Sequence, residues 1–184
     1  MSEPTKKRSL LFRIFRGLVV LALLAVAAFV GVGLFVLDGK YELARDIVIK
    51  APPEAVHKQV GDLREWPNWL PFTKHDKTVK TTIEQPTGVG ANEHWTSDNG
   101  NGKLKFTASD EQKGIEFDML FDEKYPAKGT ISYAKAGDDT RVTWHMSGQN
   151  NDFIGRWMAL IMAPMMGPMF QEGLTDLKTK VEAK

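Results

Sequence analysis

Leu18 to Leu37 is an unbroken run of 20 apolar residues, LVVLALLAVAAFVGVGLFVL, without one charged or polar side chain. At about 1.5 Å of helical rise per residue, the run spans roughly 30 Å, the hydrocarbon thickness of a bilayer. A domain core has no need of such a helix. The chain is therefore expected to divide into three parts: a basic tail over 1–17, a transmembrane helix over 18–37 and one domain over 38–184.

The flanks of the run set its orientation. Lys6, Lys7, Arg8, Arg13 and Arg16 precede it, against the single acid Glu3, whereas Lys40, Arg45 and Lys50 follow it among Asp38, Glu42 and Asp46. The basic side stays in the cytoplasm, so everything after Leu37 is expected outside. In a bacterial inner membrane that places the domain in the periplasm, on a single-pass anchor. The rival reading is a cleaved secretory signal, for which Ala25-Val26-Ala27 supplies an A-x-A site. The apolar run continues ten residues past that site, which favours the uncleaved anchor. Without a cysteine there is no attachment point for a bacterial lipoprotein lipid. Ala27 and Gly31 have the small-xxx-small spacing of paired helices, although ordinary membrane filler reads the same way.

The 147 residues beyond Leu37 suffice for one domain with a real core. They carry 19 basic and 22 acidic residues and no basic stripe, which excludes nucleic acid as an expected partner. The absence of cysteine also removes disulfides, thiolate metal sites and thiol nucleophiles.

Hydrophobic patterning predicts the order of elements. Tyr41–Lys50 reads as a strand, and Ala51-Pro52-Pro53-Glu54 opens a helix that runs to Trp66-Pro67, with proline suited to the first turn and Glu54 to the dipole. Strands follow over 79–85, 91–97, 103–109, 114–121, 128–135 and 140–148, with a strong turn signal at Asp98-Asn99-Gly100-Asn101-Gly102. Ile115, Phe117, Met119 and Phe121 share one face, against Glu116, Asp118 and Asp122 on the other. Leu104, Phe106 and Ala108 alternate in the same way with Lys103, Lys105 and Thr107, and Val142, Trp144 and Met146 with Arg141, Thr143 and His145. Phe153–Ala163 is apolar and helical, Pro164 and Pro168 interrupt it, and Pro168 opens a last helix through Leu174, Leu177 and Val181.

Several segments together resemble the SRPBCC superfamily, the START-like or helix-grip proteins, and in particular its polyketide cyclase/dehydrase-type branch. They are Ile47-Val48-Ile49-Lys50-Ala51-Pro52-Pro53-Glu54-Ala55-Val56, Val60-Gly61-Asp62, Trp66-Pro67-Asn68-Trp69, Gly88-Val89-Gly90-Ala91 with Trp95 beyond, Thr140-Arg141-Val142-Thr143-Trp144, and Gly173-Leu174 with Leu177-Lys178. The resemblance covers about residues 41 to 182. It implies an α+β fold in which a curved antiparallel sheet wraps around a long C-terminal helix, here preceded by the transmembrane helix. It also implies a deep apolar cavity for a hydrophobic small molecule or lipid, and it carries over no catalytic set.

Direct evidence of catalysis is sparse. His57, His75, His94 and His145 form no metal-binding pattern and are expected at the surface, and no metal or other cofactor is expected. Glu93 shares a strand face with Trp95, which makes it the one candidate general base; the bland alternative is a glutamate at the cavity mouth or paired with a lysine. The expected ligand-binding residues are Trp66, Trp69, Trp95, Phe106, Phe117, Met119, Phe121, Tyr133, Trp144, Met146 and Trp157, which would otherwise simply fill a core. Phe153 to Phe170 holds five methionines and reads as core helix, cavity lid or lipid-touching surface. The leading function is a membrane-anchored binder of a hydrophobic small molecule or lipid. The alternatives are a cyclase, dehydratase or hydrolase acting on a membrane-soluble substrate, and an envelope interaction module.

Overall fold

The computed structural model describes residues 5–183, with side chains described from Leu11 onward. Residues 1–4 of the basic tail, and the side chains of Lys6, Lys7 and Arg8, lie outside that range. The chain divides into two compact units at Asp38/Gly39. The first unit is the helix α1 (Thr5–Phe35). Within it the most apolar 18-residue window has a mean hydropathy of 2.9, and large apolar side chains from Leu11 to Phe35 are exposed along its length. The helix starts well before Leu18 and ends at Phe35, leaving Val36 and Leu37 outside it.

The second unit is a helix-grip domain. β1 (Lys40–Ile49) leads into α2 (Pro53–Val60), a short 3-10 helix (Leu63–Asn68) and α3 (Phe72–His75). Six strands follow: β2 (Lys80–Gln85), β3 (Asn92–Ser97), β4 (Gly100–Asp110), β5 (Gly114–Phe121), β6 (Tyr125–Ala136) and β7 (Asp139–Gln149). The long helix α4 (Phe153–Glu182) closes the chain. The seven strands form one antiparallel sheet in the order β1-β7-β6-β5-β4-β3-β2. The alternation read from the sequence is the alternation of burial: Ile115 and Phe117 are buried while Glu116 and Asp118 are exposed.

α4 packs against β1, β7 and the 3-10 helix. Asp152 caps its start, accepting a hydrogen bond from the Gly155 backbone N–H at 3.1 Å. Phe170, Leu174 and Leu177 form the fully buried stripe that holds it to the core. At its far end Lys178 donates to the Val48 carbonyl at 2.6 Å, and Glu182 accepts from the Lys50 N–H at 2.7 Å.

Three sequence expectations are corrected by the packing. The first helix ends at Val60 rather than near Trp66-Pro67. Its last carbonyls are taken by indoles, Trp69 Nε1 donating to Gln59 at 3.2 Å and Trp66 Nε1 to Val60 at 2.9 Å, so the tryptophans fold back over the helix end instead of extending it. The C-terminal helix is continuous through Pro164 and Pro168. Spaced i, i+4 and both exposed, the two prolines remove hydrogen bonds on the solvent side, while the opposite side stays fixed to the sheet. In β4 a bulge lies between Phe106 and Ala108, which pairs Ala108 with the exposed Glu116 and Ser109 with the buried Ile115. Ser109, not Ala108, therefore shares the inner face with Leu104 and Phe106.

Candidate functional site

Register builds the inner face in rows. Glu93 aligns with Ile83 on one side and Leu104 on the other, and Leu104 with Met119; Phe106 aligns with Phe117, and Phe117 with Gly129. Two glycines make room for large rings. A Cβ at Gly102 would collide with the Trp95 indole, and one at Gly129 with the Phe117 ring, so each aromatic lies over bare backbone on the neighbouring strand.

Half of this face is filled. Trp66 packs edge-on to Trp69 (5.6 Å between centroids) and to Phe117 (5.9 Å), Trp69 to Trp144 (5.8 Å), and Trp144 stacks on Phe170. The other half, toward β2 and β3, holds a cavity of about 530 Å³. Trp95, Leu104, Phe117, Met119, Phe121, Trp144 and Met146 form its sheet wall, Trp66, Leu70 and Phe72 the facing wall, and Met165, Met166 and Met169 of α4 its cover. The mouth is polar, with Thr81, Ser97, Asn99, Asn101, His75, Asp76 and Asp122. A larger depression of about 920 Å³ at the ends of β1, β5, β6 and β7 is more open and is rimmed by Lys40, Glu42, Asp118 and Lys128, charges of the outer sheet face.

Of the residues expected from sequence, Trp66, Trp95, Phe117, Met119, Phe121, Trp144 and Met146 line the cavity. Four lie elsewhere. Trp69 and Phe106 are buried in the aromatic cluster behind it, Tyr133 lies beside His57, and Trp157 is half-buried near the start of α4. The wall also takes Leu70 and Phe72, whose signal in the sequence was two apolar residues flanking Pro71, and Leu104, already on the correct strand face.

Glu93 faces the cavity. Among the described residues no cation and no hydrogen-bond donor meets its carboxylate, and burial pushes its pKa up to about 7. Asp76 at the mouth behaves oppositely. Hydrogen bonds from Thr78 (2.6 Å to the hydroxyl) and Asn99 (3.0 Å) hold it ionised, with its pKa lowered to about 2.

The histidines divide. His94 and His75 are exposed, and His75 pairs with Glu172 at 2.9 Å. His145, on the outer face, pairs with Glu42 at 2.8 Å. His57 departs from the expected surface position: it is half-buried, and its ring nitrogens lie 3.3 Å from the Tyr133 hydroxyl and 3.3 Å from Ser109 Oγ. The cause is the β4 bulge, which turns Ser109 inward beneath α2. Burial lowers the His57 pKa and raises that of Tyr133, so both are neutral in this bridge. Among the described residues no three acidic, histidine or cysteine side chains cluster as a metal site.

A curved antiparallel sheet, a covering C-terminal helix and an apolar cavity between them define a helix-grip ligand-cavity domain. Residues 40–182 match the sequence profile described as polyketide cyclase/dehydrase and lipid transport, and the chain belongs to that family. The fold is similar to that of a protein from Chromobacterium violaceum (16% identity, 78% of this chain and 98% of that one, TM-score 0.59). It is also similar to a protein from Thermus thermophilus (20% identity, 77% and 97%, TM-score 0.55) and to a major latex-like protein from Panax ginseng (15% identity, 78% and 98%, TM-score 0.54). No curated protein matches the chain in sequence.

Proposed function

We propose that the protein binds a hydrophobic small molecule or lipid in the cavity between sheet and α4, and that α1 anchors it in a bacterial inner membrane with the domain in the periplasm. The observation that carries the binding reading is the 530 Å³ cavity itself, apolar on both walls and covered by three flexible methionines. The family description, which includes lipid transport, supports it. The anchor rests on the exposed apolar stretch of α1 from Leu18 to Phe35, about 27 Å at helical rise, with Arg13 and Arg16 before it. α4 also carries exposed Ile154, Met158, Ile161 and Met165, spaced i, i+4, i+7 and i+11 on one face that reaches the cavity cover. Such a face suits exchange of a membrane-soluble ligand.

A second reading makes the domain an enzyme on such a ligand. It rests on Glu93, a carboxyl near neutral pKa inside the cavity, suited to general acid–base work. Purification from native membranes, followed by mass spectrometry of co-purifying small molecules, tests the first reading. A stoichiometric hydrophobic molecule, lost on Met169→Glu at the cavity cover, is the expected result. Conversion of that molecule by wild type and not by Glu93→Gln would establish the second. An empty protein that takes up no hydrophobic probe would overturn both.

A further inference from the structure

We propose that the preferred ligand is a hydrophobic amine, with its protonated nitrogen set against the Glu93 carboxylate and its apolar body along the aromatic walls. The assignment rests on the cavity being a binding site and goes on to name the ligand's chemistry.

The first observation is Glu93. It stands in register between Ile83 and Leu104, on the same strand face as Trp95, and no group among the described residues satisfies it. A carboxylate in apolar surroundings costs free energy unless a counter-charge or donor reaches it. The lysines of the adjacent strand, Lys103 and Lys105, are on the opposite face, as is His94 of its own strand. Lys103 is engaged by Glu123 at 3.2 Å. No side chain on the strands beside it is placed to supply that partner, whereas the cavity gives a bound cation access to it.

The second observation is the sign of the lining. Glu93, Asp76 and Asp122 contribute three carboxylates, and the described lining includes no lysine or arginine. His75, its one basic side chain, is already held by Glu172. Asp76 is kept ionised by its own hydrogen bonds. A concave site with this balance, two carboxylates at its mouth and one on its apolar wall, favours cations over carboxylates and phosphates.

The third observation is the aromatic surface beside Glu93. Trp95 and Phe121 meet edge to face at 5.5 Å on the cavity wall, and such faces attract ammonium groups. Together these favour an amine over the neutral or anionic head group of the same chain length.

The test uses the full-length protein in phosphatidylcholine nanodiscs, with affinity read from tryptophan fluorescence against protein-free discs. The probes are n-dodecylamine, n-dodecanol and n-dodecanoate, below micelle-forming concentrations. Wild type is expected to bind the amine at least about tenfold more tightly than the carboxylate, with the alcohol between them. Glu93→Gln should bring amine and alcohol to within about threefold of each other, and Glu93→Asp, which keeps the charge, should retain the amine preference. Equal binding of amine and carboxylate by wild type overturns the assignment, as does a preference unchanged in Glu93→Gln, and both leave the cavity reading standing. Should Glu93→Gln fail to fold, the wild-type ratio and Glu93→Asp still decide. If no probe binds wild type, the cavity reading falls and the amine assignment with it.

Discussion

The indole of Trp144 stacks on the ring of Phe170 with centroids 3.8 Å apart and planes inclined by 12°. The pair joins β7 to α4, and both rings are buried. Phe170 does not line the cavity, so its loss is a matter of packing alone. Phe170→Ala is expected to destabilise the domain by about 3–5 kcal/mol, the transfer term plus the void left against Trp144. Urea denaturation monitored by tryptophan fluorescence measures this. Phe170→Leu should cost about half as much. A loss below about 1 kcal/mol for the alanine variant would mean that the sheet and α4 are not joined here.

The two faces of β5 give a second, paired prediction. Phe117 is buried against Trp66 and Phe106, while Glu116 is exposed on the outer face. Phe117→Asp places an unpaired charge in the core and should abolish cooperative folding. Glu116→Gln should change stability by no more than about 0.5 kcal/mol. Similar effects at both positions would contradict the register.

β5 was legible in the sequence because one face is solvated and the other buried, so polarity alternates with every residue. The same rule failed at Ala108, since a bulge shifts register without changing composition and only the pairing with β5 reveals it. Pro164 and Pro168 suggested a break because a local rule counts the lost hydrogen bonds and not the buried stripe of Phe170, Leu174 and Leu177 that keeps the helix in place. The cavity residues were legible as a face but not as a boundary. Trp69 and Phe106 carry the same polarity signal as Trp95, and which of them meets empty space depends on how the Trp66–Trp69 turn folds over the sheet. His57 gave no signal, because its partners Ser109 and Tyr133 lie far off in the chain.

Glu93 makes stability depend on pH. Its folded pKa, about 7, lies above the ordinary carboxylate range, so the folded state holds the proton that the unfolded state has released. Below the unfolded pKa of about 4.3 both states are protonated and there is no penalty. As pH rises from there through 7, stability falls, by on the order of 3 kcal/mol. Glu84, His94, Lys103 and Lys105 lie on the outer side of these strands, and His75, Asp76 and Asp122 at the cavity mouth, and all are common to wild type and variant. The difference between wild type and Glu93→Gln therefore isolates this group. The variant should match wild type near pH 4 and exceed it at pH 8, in urea midpoints. A difference that does not change with pH would show that Glu93 finds a partner in solution.

Topology is the next expectation. A reporter active only in the cytoplasm, fused after Lys184, should be silent, because the basic residues precede the apolar helix. Activity would reverse the orientation. A mature N-terminus at Ala28 would instead identify residues 1–27 as a cleaved signal.

The cover of the cavity should open before the sheet does. Pro164 and Pro168 have no N–H, so the carbonyls of Leu160 and Pro164 lack their helical partners in the segment that carries Met165, Met166 and Met169 over the cavity. The C-terminal half of α4 is held differently, by Phe170, Leu174 and Leu177 in the core, by the ion pair Lys74–Asp176 and by the hydrogen bond between His75 and Glu172. Local opening is therefore expected in the stretch before Phe170. In hydrogen exchange, amides of residues 157–169 should exchange at least about tenfold faster than those of β5–β7, and a bound hydrophobic probe should slow them. Restoring the two hydrogen bonds with Pro164→Ala and Pro168→Ala should slow probe release several-fold without lowering stability. Protection equal to that of β6, unchanged by probe, would make this stretch ordinary core and would send ligand entry through the polar mouth at Thr81 and Asn99 instead.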